Sequence, residues 1–294
     1  MTALNMQSTL YTSELRRARK RQGWLLLTPM LPAVLLVCFT FVLPLLWLGG
    51  MSFLDAEGNL SFENYTRLVQ PIYVLAFTQT FKISLLVTAA CVFIGYPYAY
   101  FMVHGPRKLA GLAMAILLIS LWTSLLVRTY AWLVLLQRRG LVNDLLMSFG
   151  FVDSPLTLVH NEVGTMIGMV HIMLPFMILP LYAAMKSINP IYVQAAAAFG
   201  ASPLRAFFGV FLPLSLPGLA AGATLVFVLC LGFYVTPSLL GGGRVQVLSM
   251  RIESDVSLSA NWGVASSLGV VLLVTTLVLL FTVKRIADRS RRNG

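Results

Sequence analysis

The residue types that could perform metal, thiol or phosphate chemistry are scattered along this chain. The three histidines are far apart and lack a metal-ligand spacing such as H-E-x-x-H. The three cysteines lie inside apolar stretches, where we interpret them as small hydrophobic residues. We therefore predict no catalytic residue, no metal site and no cofactor bound by this chain. These residues are His104, His160, His171, Cys38, Cys91 and Cys230.

A glycine run, Gly241–Arg244, is the nearest approach to a phosphate-binding loop. It lacks the G-x-x-x-x-G-K spacing and the Ser or Thr that follows it in a P-loop. We predict a flexible loop here, and any ATP hydrolysis would have to come from another protein. His171 lies inside an apolar run, where we favour a packing role over contact with a solute.

Two charges, Lys82 and Arg128, lie inside apolar runs, where charged side chains are rare and often functional. Lys82 is near the end of its run, so we expect its amine to extend to the membrane interface. Arg128 is equally consistent with hydrogen bonding to backbone carbonyls and with a role in a translocation path. No acidic residue lies in a predicted span to pair with either. The path candidates are Arg128, Tyr130, Trp132, Tyr96, Tyr182 and Tyr234.

The loop 186–213 is unusually elaborate for a connection between apolar runs. Residues 192–199 are rich in alanine and predict a helix. Gly200 fits the left-handed residue that ends a helix, Ser202 fits an N-cap, and Pro203 fits the first position of a second helix. We expect Leu212-Pro213 to stop that second helix. The pattern therefore predicts a helix–turn–helix with apolar faces, which is typical of a docking surface.

This loop resembles the EAA loop of the permeases of binding-protein-dependent ABC importers. The match comprises Gln194-Ala195-Ala196, Gly200, Val210 and Leu212-Pro213 at the family's spacing, although Gln194 replaces the leading Glu. The resemblance implies coupling helices seated in a cleft of a cytoplasmic ATPase, with Gly200 as pivot and both alanines tightly packed. Loss of the Glu charge implies weaker or partner-specific coupling. The implied coupling residues are Gln194, Ala195, Ala196, Gly200, Ala201, Ser202, Pro203, Phe207, Leu212 and Pro213.

Three further segments resemble the spermidine/putrescine-type members of that family, and the likeness extends from about Thr78 to the C-terminus. They are residues 121–132, 140–143 and 234–243. The resemblance implies a type I ABC importer permease of the MetI-like fold that works by alternating access. It implies a second permease subunit forming a heterodimer, a periplasmic solute-binding protein, and two copies of an ATPase subunit that uses ATP and Mg.

Composition places the chain in a bilayer: 58% of its residues are hydrophobic, 11% are charged, and the mean hydropathy is +0.84. Soluble domains carry roughly a quarter charged residues. Six apolar runs are long enough to span a bilayer, so we predict an all-α polytopic protein of six transmembrane helices. The predicted spans are 24–48, 74–103, 109–136, 163–185, 214–240 and 263–283.

Basic residues concentrate in residues 16–21, in two alternate loops and in the tail, and most acids lie in the other loops. This asymmetry predicts that both termini are cytoplasmic, and the resemblance to importer permeases implies a bacterial inner membrane. The net charge of +11 is therefore not a nucleic-acid-binding face. We predict a basic cytoplasmic segment, 1–23, and a single permease domain, 24–294, with core spans over 74–283 and the coupling loop at 186–213.

The solute stays open at this point. A polycation needs carboxylates or aromatic faces along its path, and this chain offers only the aromatic ones, so carboxylates would have to come from a paired subunit. A polyamine is favoured by the resemblance, and an amino acid, an opine or a phosphonate is the alternative. An ion-gradient-driven carrier is a more distant alternative, because neither an internal repeat nor an intramembrane acid is visible.

Overall fold

The structure is a computed structural model that describes residues 30–55 and 57–292, with side chains described to residue 285. The predicted segment 1–23 and the start of the first predicted span lie outside the described residues. The regular elements of the described part are helices, with one isolated bridge between Leu54 and Leu60. They are α1 (Leu31–Met51), α2 (Glu63–Arg67), α3 (Pro71–His104), α4 (Arg107–Trp122), α5 (Leu125–Leu135), α6 (Leu141–Ser148), α7 (Glu162–Ser187), α8 (Pro190–Ala198), α9 (Pro203–Leu231), α10 (Val235–Leu240), α11 (Leu248–Ser257) and α12 (Trp262–Arg292).

Five of these helices, α1, α3, α7, α9 and α12, are long and apolar enough to cross a bilayer. The predicted third span, 109–136, is not one straight helix. It consists of α4 and α5, which are bent by 102° at Thr123-Ser124, and it makes a sixth span only if the bent pair is counted as one. The end of the bundle that carries the loop 186–213 is called the basic end. The end on the other side of the bundle is called the opposite end.

The core consists of α3, α7 and α9, which pack against one another along most of their lengths. Buried aliphatic and thioether side chains fill the space between them, for example Ile83 of α3, Met173 of α7 and Val226 of α9. Methionine adapts its shape to irregular gaps, which suits helices that cross at several angles. Helix α1 has no buried residue and contacts α12.

Glycines on two helices pack closely against the middle of α7. A Cβ on Gly95 of α3 would lie 2.9 Å from Met177 Cγ, and one on Gly222 of α9 would lie 2.9 Å from the Met177 carbonyl oxygen. One turn earlier in α9, a Cβ on Gly218 would meet Ala184 Cβ at 2.2 Å. The G-x-x-x-G spacing of α9 therefore serves close packing within this chain, since a larger side chain at either glycine would separate the helices.

Helix α9 does not stop at Leu212-Pro213, and the predicted start of the fifth span at 214 is wrong. A π-helical segment, Phe207–Phe211, joins the first turn of α9 to the rest, and the Leu212 amide donates to the Phe207 carbonyl. This wider turn accommodates a proline, which lacks the amide that an α-helix needs. The span ends at Leu231 rather than at 240, and the remaining residues form the separate helix α10.

Candidate functional site

The turn between α8 and α9 is a complete helix-capping arrangement. Gly200 has φ +84°, and its amide donates to the Ala197 carbonyl over 2.9 Å, while the Ala201 amide donates to the Ala196 carbonyl over 3.0 Å. These two bonds form a Schellman motif. On the far side of the turn, Ser202 Oγ accepts from the Arg205 amide over 3.4 Å. The direction in which α9 leaves α8 is thus fixed by local hydrogen bonds.

Helix α8 has no buried residue, although its composition is almost entirely apolar. Ala195 is exposed and Ala196 is half-buried, so the tight packing expected for both alanines is not made within this chain. Phe199, at the turn, is 92% exposed. Large apolar side chains exposed to this degree are typical of a surface that another protein covers. The other exposed apolar side chains of the turn are Ile191, Tyr192, Leu204 and Phe208.

An aromatic cluster fixes the start of α9 to the end of α3. The Phe207 and Phe211 rings lie 5.4 and 5.3 Å from the Tyr100 ring, nearly perpendicular to it, and the His104 ring lies 5.0 Å from Phe211. Edge-to-face pairs of this kind stabilise by about 1 kcal/mol each beyond their burial. A cavity of about 800 Å³ between α8 and this cluster includes Gln194 in its lining. Movement of α8 and α9 is therefore linked to α3.

At the opposite end, α5 carries the one buried arginine of the described chain. Arg128 is 9% exposed, and its Nε and Nη1 atoms have no hydrogen-bond partner among the described residues. Neither a backbone carbonyl nor an acid of this part of the chain satisfies them. A buried, unsatisfied guanidinium is costly, so it marks a point where the isolated chain is incomplete.

Hydrogen bonds from α5 reach two other helices. Trp132 Nε1 donates to His171 Nδ1 of α7 over 3.0 Å, and Ser120 Oγ lies 3.4 Å from the other nitrogen of that ring. Thr129 and Thr236 of α10 share a hydrogen bond of 3.2 Å. Each of these two bonds joins residues that are far apart in the sequence. Together they hold α5 across the bundle instead of in line with α4.

The profile of one protein family, described as the inner membrane component of binding-protein-dependent transport systems, matches residues 91–292. The chain belongs to this family. The expected membership of the importer permeases is thereby confirmed, and so is the expectation of an inner-membrane protein with several apolar helices.

Two of the relatives of this permease illustrate the solutes that such proteins are named for. The spermidine/putrescine transport system permease protein PotB of Haemophilus influenzae is 34% identical over 83% of this chain and 88% of its own length. A putative 2-aminoethylphosphonate transport system permease protein of Salmonella typhimurium is 28% identical over 91% of this chain and 92% of its own length.

Among solved structures, a bacterial ABC transporter involved in the import of alginate matches with a TM-score of 0.71 at 20% identity. The match covers 94% of this permease and 99% of that chain. An identity this low supports the fold alone, and the fold is that of an ABC importer permease.

The six residues proposed for a translocation path do not form one site. Arg128 and Trp132 are one helical turn apart on α5, whereas Tyr130 is exposed on another face of that helix. Tyr234 lies at the break before α10. Tyr96 and Tyr182 lie near the basic end, where Tyr96 Oη is 2.8 Å from Ser215 Oγ and the Lys186 amine is 5.5 Å from the centre of the Tyr182 ring.

The sequence analysis does not predict two contacts that the structure shows. Lys82 does not merely extend to the interface, because its Nζ lies 2.7 Å from Glu162 Oε1, at the first residue of α7. Glu162 directly precedes the predicted span 163–185, but no local sequence pattern connects it with a residue eighty positions away. His171 was identified as a packing residue, and its hydrogen bond to Trp132 is a more specific role. An intramembrane histidine was the available signal.

Proposed function

We propose that this chain is a transmembrane subunit of an ATP-driven importer and that its solute is a polyamine or a related small polar compound. The observation that carries the proposal is the capped, apolar and uncovered turn from α8 to α9 at one end of a membrane-spanning bundle. Such a surface suits a protein that must receive force from a partner. The 34% identity to a spermidine/putrescine permease supports the choice of solute.

The partner at this turn is a cytoplasmic ATPase, present in two copies, which binds ATP and Mg; this chain itself binds no cofactor. Phe199 and Leu204 would be buried in its cleft, together with Ala195 and Ala196. Gln194, which borders the cavity behind α8, replaces the charge that the family's Glu would supply. The basic end is therefore the cytoplasmic end, which puts both termini in the cytoplasm.

A second permease subunit completes the path, and a periplasmic solute-binding protein delivers the solute. Arg128 brings positive charge toward the path, and among the described spans, with α12 counted to Arg285, the only acid is Glu162, the first residue of α7. A polycation therefore needs carboxylates from the second subunit, besides the aromatic faces of Trp132 and Tyr234. A zwitterion such as an amino acid, an opine or an aminophosphonate is the alternative, and the 28% identical relative favours the aminophosphonate among these.

Alternating access then requires inward-facing and outward-facing arrangements of the two subunits. The ATPases and the binding protein can drive the change only by binding the two arrangements with different affinity. Helices α5 and α10, which follow the breaks in the third and fifth spans, are the short elements whose position can change without unfolding a full span.

Uptake and co-purification test the proposal. Cells lacking this chain should lose ATP-dependent uptake of labelled spermidine or putrescine and regain it with the wild-type chain. Excess unlabelled 2-aminoethylphosphonate or amino acids should not compete. The tagged chain, extracted in mild detergent, should bring with it an ATPase and a second permease. Transport by the isolated chain under an ion gradient, without ATPase, would instead indicate a secondary carrier.

A further inference from the structure

Some arginines in the loops of the opposite end form an ion pair with an acid, and others do not. Arg67 forms an ion pair of 2.6 Å with Glu63, and Arg251 forms one of 3.2 Å with Asp255. Arg138, Arg139 and Arg244 have no ion pair in the part of the chain that the structure describes, although most of the acids lie in these loops. Their charge is available to something outside the chain.

Two of these unpaired arginines line the same cavity. Arg138, just after α5, and Arg244, just after α10, border an open cavity of about 620 Å³ together with His160. No acidic side chain lies among its lining residues. Arg139 is exposed next to Arg138 but does not line the cavity. Like charges that share a concave surface raise the local concentration of anions.

The shape of the cavity is defined by a close contact between two loops, at His160 and Gly242. His160 has φ +61°, an uncommon left-handed conformation for a residue with a side chain, and Gly242 opposite it has φ +54°. A Cβ on Gly242 would lie 2.4 Å from His160 Nδ1, so only glycine permits this contact. The prediction of a merely flexible glycine loop at 241–244 is therefore wrong: the loop is packed against His160. Backbone held in such conformations is concentrated at functional sites.

The cavity is bordered by the segments that adjoin the two short helices and by the loop before α7. Leu133 lies on α5 and Leu136 directly follows it, Gly242 and Arg244 lie in the loop after α10, and residues 157–160 form the third side. The two helices are joined by the bond between Thr129 and Thr236. Anything that binds Arg138 and Arg244 together therefore contacts the segments that directly follow both short helices.

We infer that this cavity receives carboxylate side chains of the solute-binding protein, an inference that rests on the proposed function. The occupant is acidic because both arginines lack an acid of their own. It is a protein partner because the cavity is open and lies at the end opposite the coupling turn, where the solute is delivered. Bound carboxylates remove the repulsion between the arginines and hold α5 and α10 together, which links docking to the position of both helices.

Acidic peptide binding tests the chemistry without the binding protein. Fluorescein-labelled hexaglutamate, titrated into the purified detergent complex at about 10 mM salt, should bind, and about 0.5 M salt should weaken binding more than tenfold because surface charges are then screened. The R138E/R244E double variant should bind the peptide more than tenfold more weakly. The matched control R139E, one residue away but outside the cavity, should stay within twofold of wild type.

Two results of this titration would overturn the inference. One is equal peptide affinity of R138E/R244E and wild type. The other is complete displacement of the peptide by free glutamate or inorganic phosphate at equal anion concentration, which would make the cavity a small-anion site instead of a protein-docking site.

Stimulation of the ATPase separates this inference from the proposed function. A solute-binding protein from the same cells, purified on immobilised spermidine, should stimulate the wild-type complex. The concentration that gives half-maximal stimulation should rise more than tenfold in R138E/R244E, with basal ATPase activity and yield unchanged. Unchanged stimulation in a normally active complex would refute the docking site alone. A wild-type preparation without any ATPase would count against the proposed function itself.

Discussion

Pro213 and the pair Thr123-Ser124 affect their helices in opposite ways. Proline is the strongest helix breaker, yet α9 continues through Pro213 by way of a π-helical segment. Thr123 and Ser124 are ordinary polar residues without glycine or proline beside them, yet the chain turns by 102° between α4 and α5. Contacts made far from each point explain the difference.

At Pro213 the helix is held from outside by the aromatic cluster, in which Phe207 and Phe211 pack against Tyr100. At Thr123-Ser124 the contacts favour the bend instead, because Trp132 and Thr129 find hydrogen-bond partners across the bundle. Gly200 is a third case, in which the local backbone alone determines the turn. The three points together show that packing overrides local preference where partners exist, and that local preference decides where none do.

The largest effect on stability is expected from a larger side chain at the contact between α7 and α10. A Cβ on Gly168 of α7 would lie 2.5 Å from Leu240 Cδ1 and 2.9 Å from Thr236 Cγ2. Gly168→Leu should therefore separate α7 from α10 at a cost of about 1–3 kcal/mol. The thermal unfolding midpoint of the detergent-purified protein measures the loss. Gly111→Leu is the control, since that glycine of α4 has no neighbour within 4 Å, and an equal loss in both variants would contradict this account.

A smaller effect is expected at the turn that local backbone determines. Gly200→Val puts a β-branched residue at φ +84°, which costs about 1–2 kcal/mol and favours a different exit direction for α9. Membrane insertion should be normal, whereas ATP-dependent uptake should fall about tenfold, measured at matched protein level.

Gly209→Val is the control for the turn, because this residue is exposed, has no neighbour within 4 Å and lies outside the left-handed region. Uptake by Gly209→Val should stay within about twofold of wild type. Normal uptake by Gly200→Val would show that the capped turn does not determine coupling.

The smallest effect is expected from making the bend locally helical. T123A/S124A adds two strong helix formers, about 1 kcal/mol in favour of a straight helix, and the two hydrogen bonds of α5 contribute about 1 kcal/mol each against it. The bend should persist. Spin labels at Leu112 and Val134, both exposed, report it in a Cys38→Ser background, because Cys38 is the exposed native thiol.

A straight helix would put the two labelled backbone positions about 33 Å apart, and the bend brings them to roughly 20 Å. The distance distribution of T123A/S124A should match that of the unsubstituted chain. A shift to the longer distance would mean that Thr123 and Ser124 themselves cause the bend.

The sequence predicts what depends on neighbouring residues. The positive φ of Gly200, the N-cap at Ser202 and Pro203 at the first helical position follow from local capping rules. The alanine-rich helix predicted at 192–199 is α8, 190–198, with its ends shifted by one or two residues. The class of protein follows from the apolar runs and from the spacing within residues 194–213.

The remaining features depend on partners that are distant in sequence. The bend in the third span needs Thr236 and His171, and the pair of Lys82 with Glu162 joins the first half of α3 to the first residue of α7. The assignment of Tyr96 and Tyr182 to a common path with Arg128 stays a prediction, and such a path would have to extend from one end of the bundle toward the other. Tyr182 is only one turn and a half from the end of α7, so depth along the helix already placed it near the basic end.

The grip of Gly95 and Gly222 on Met177 gives α7 the mechanics of a lever. The helix has 26 residues and is about 39 Å long. Its fulcrum at Met177 is about 15 Å from Ser187, beside the coupling turn, and about 22 Å from Glu162. A rigid tilt about that point moves the Glu162 end in the opposite sense and about one and a half times as far. A small displacement on one side of the membrane would thus become a larger, inverted displacement on the other.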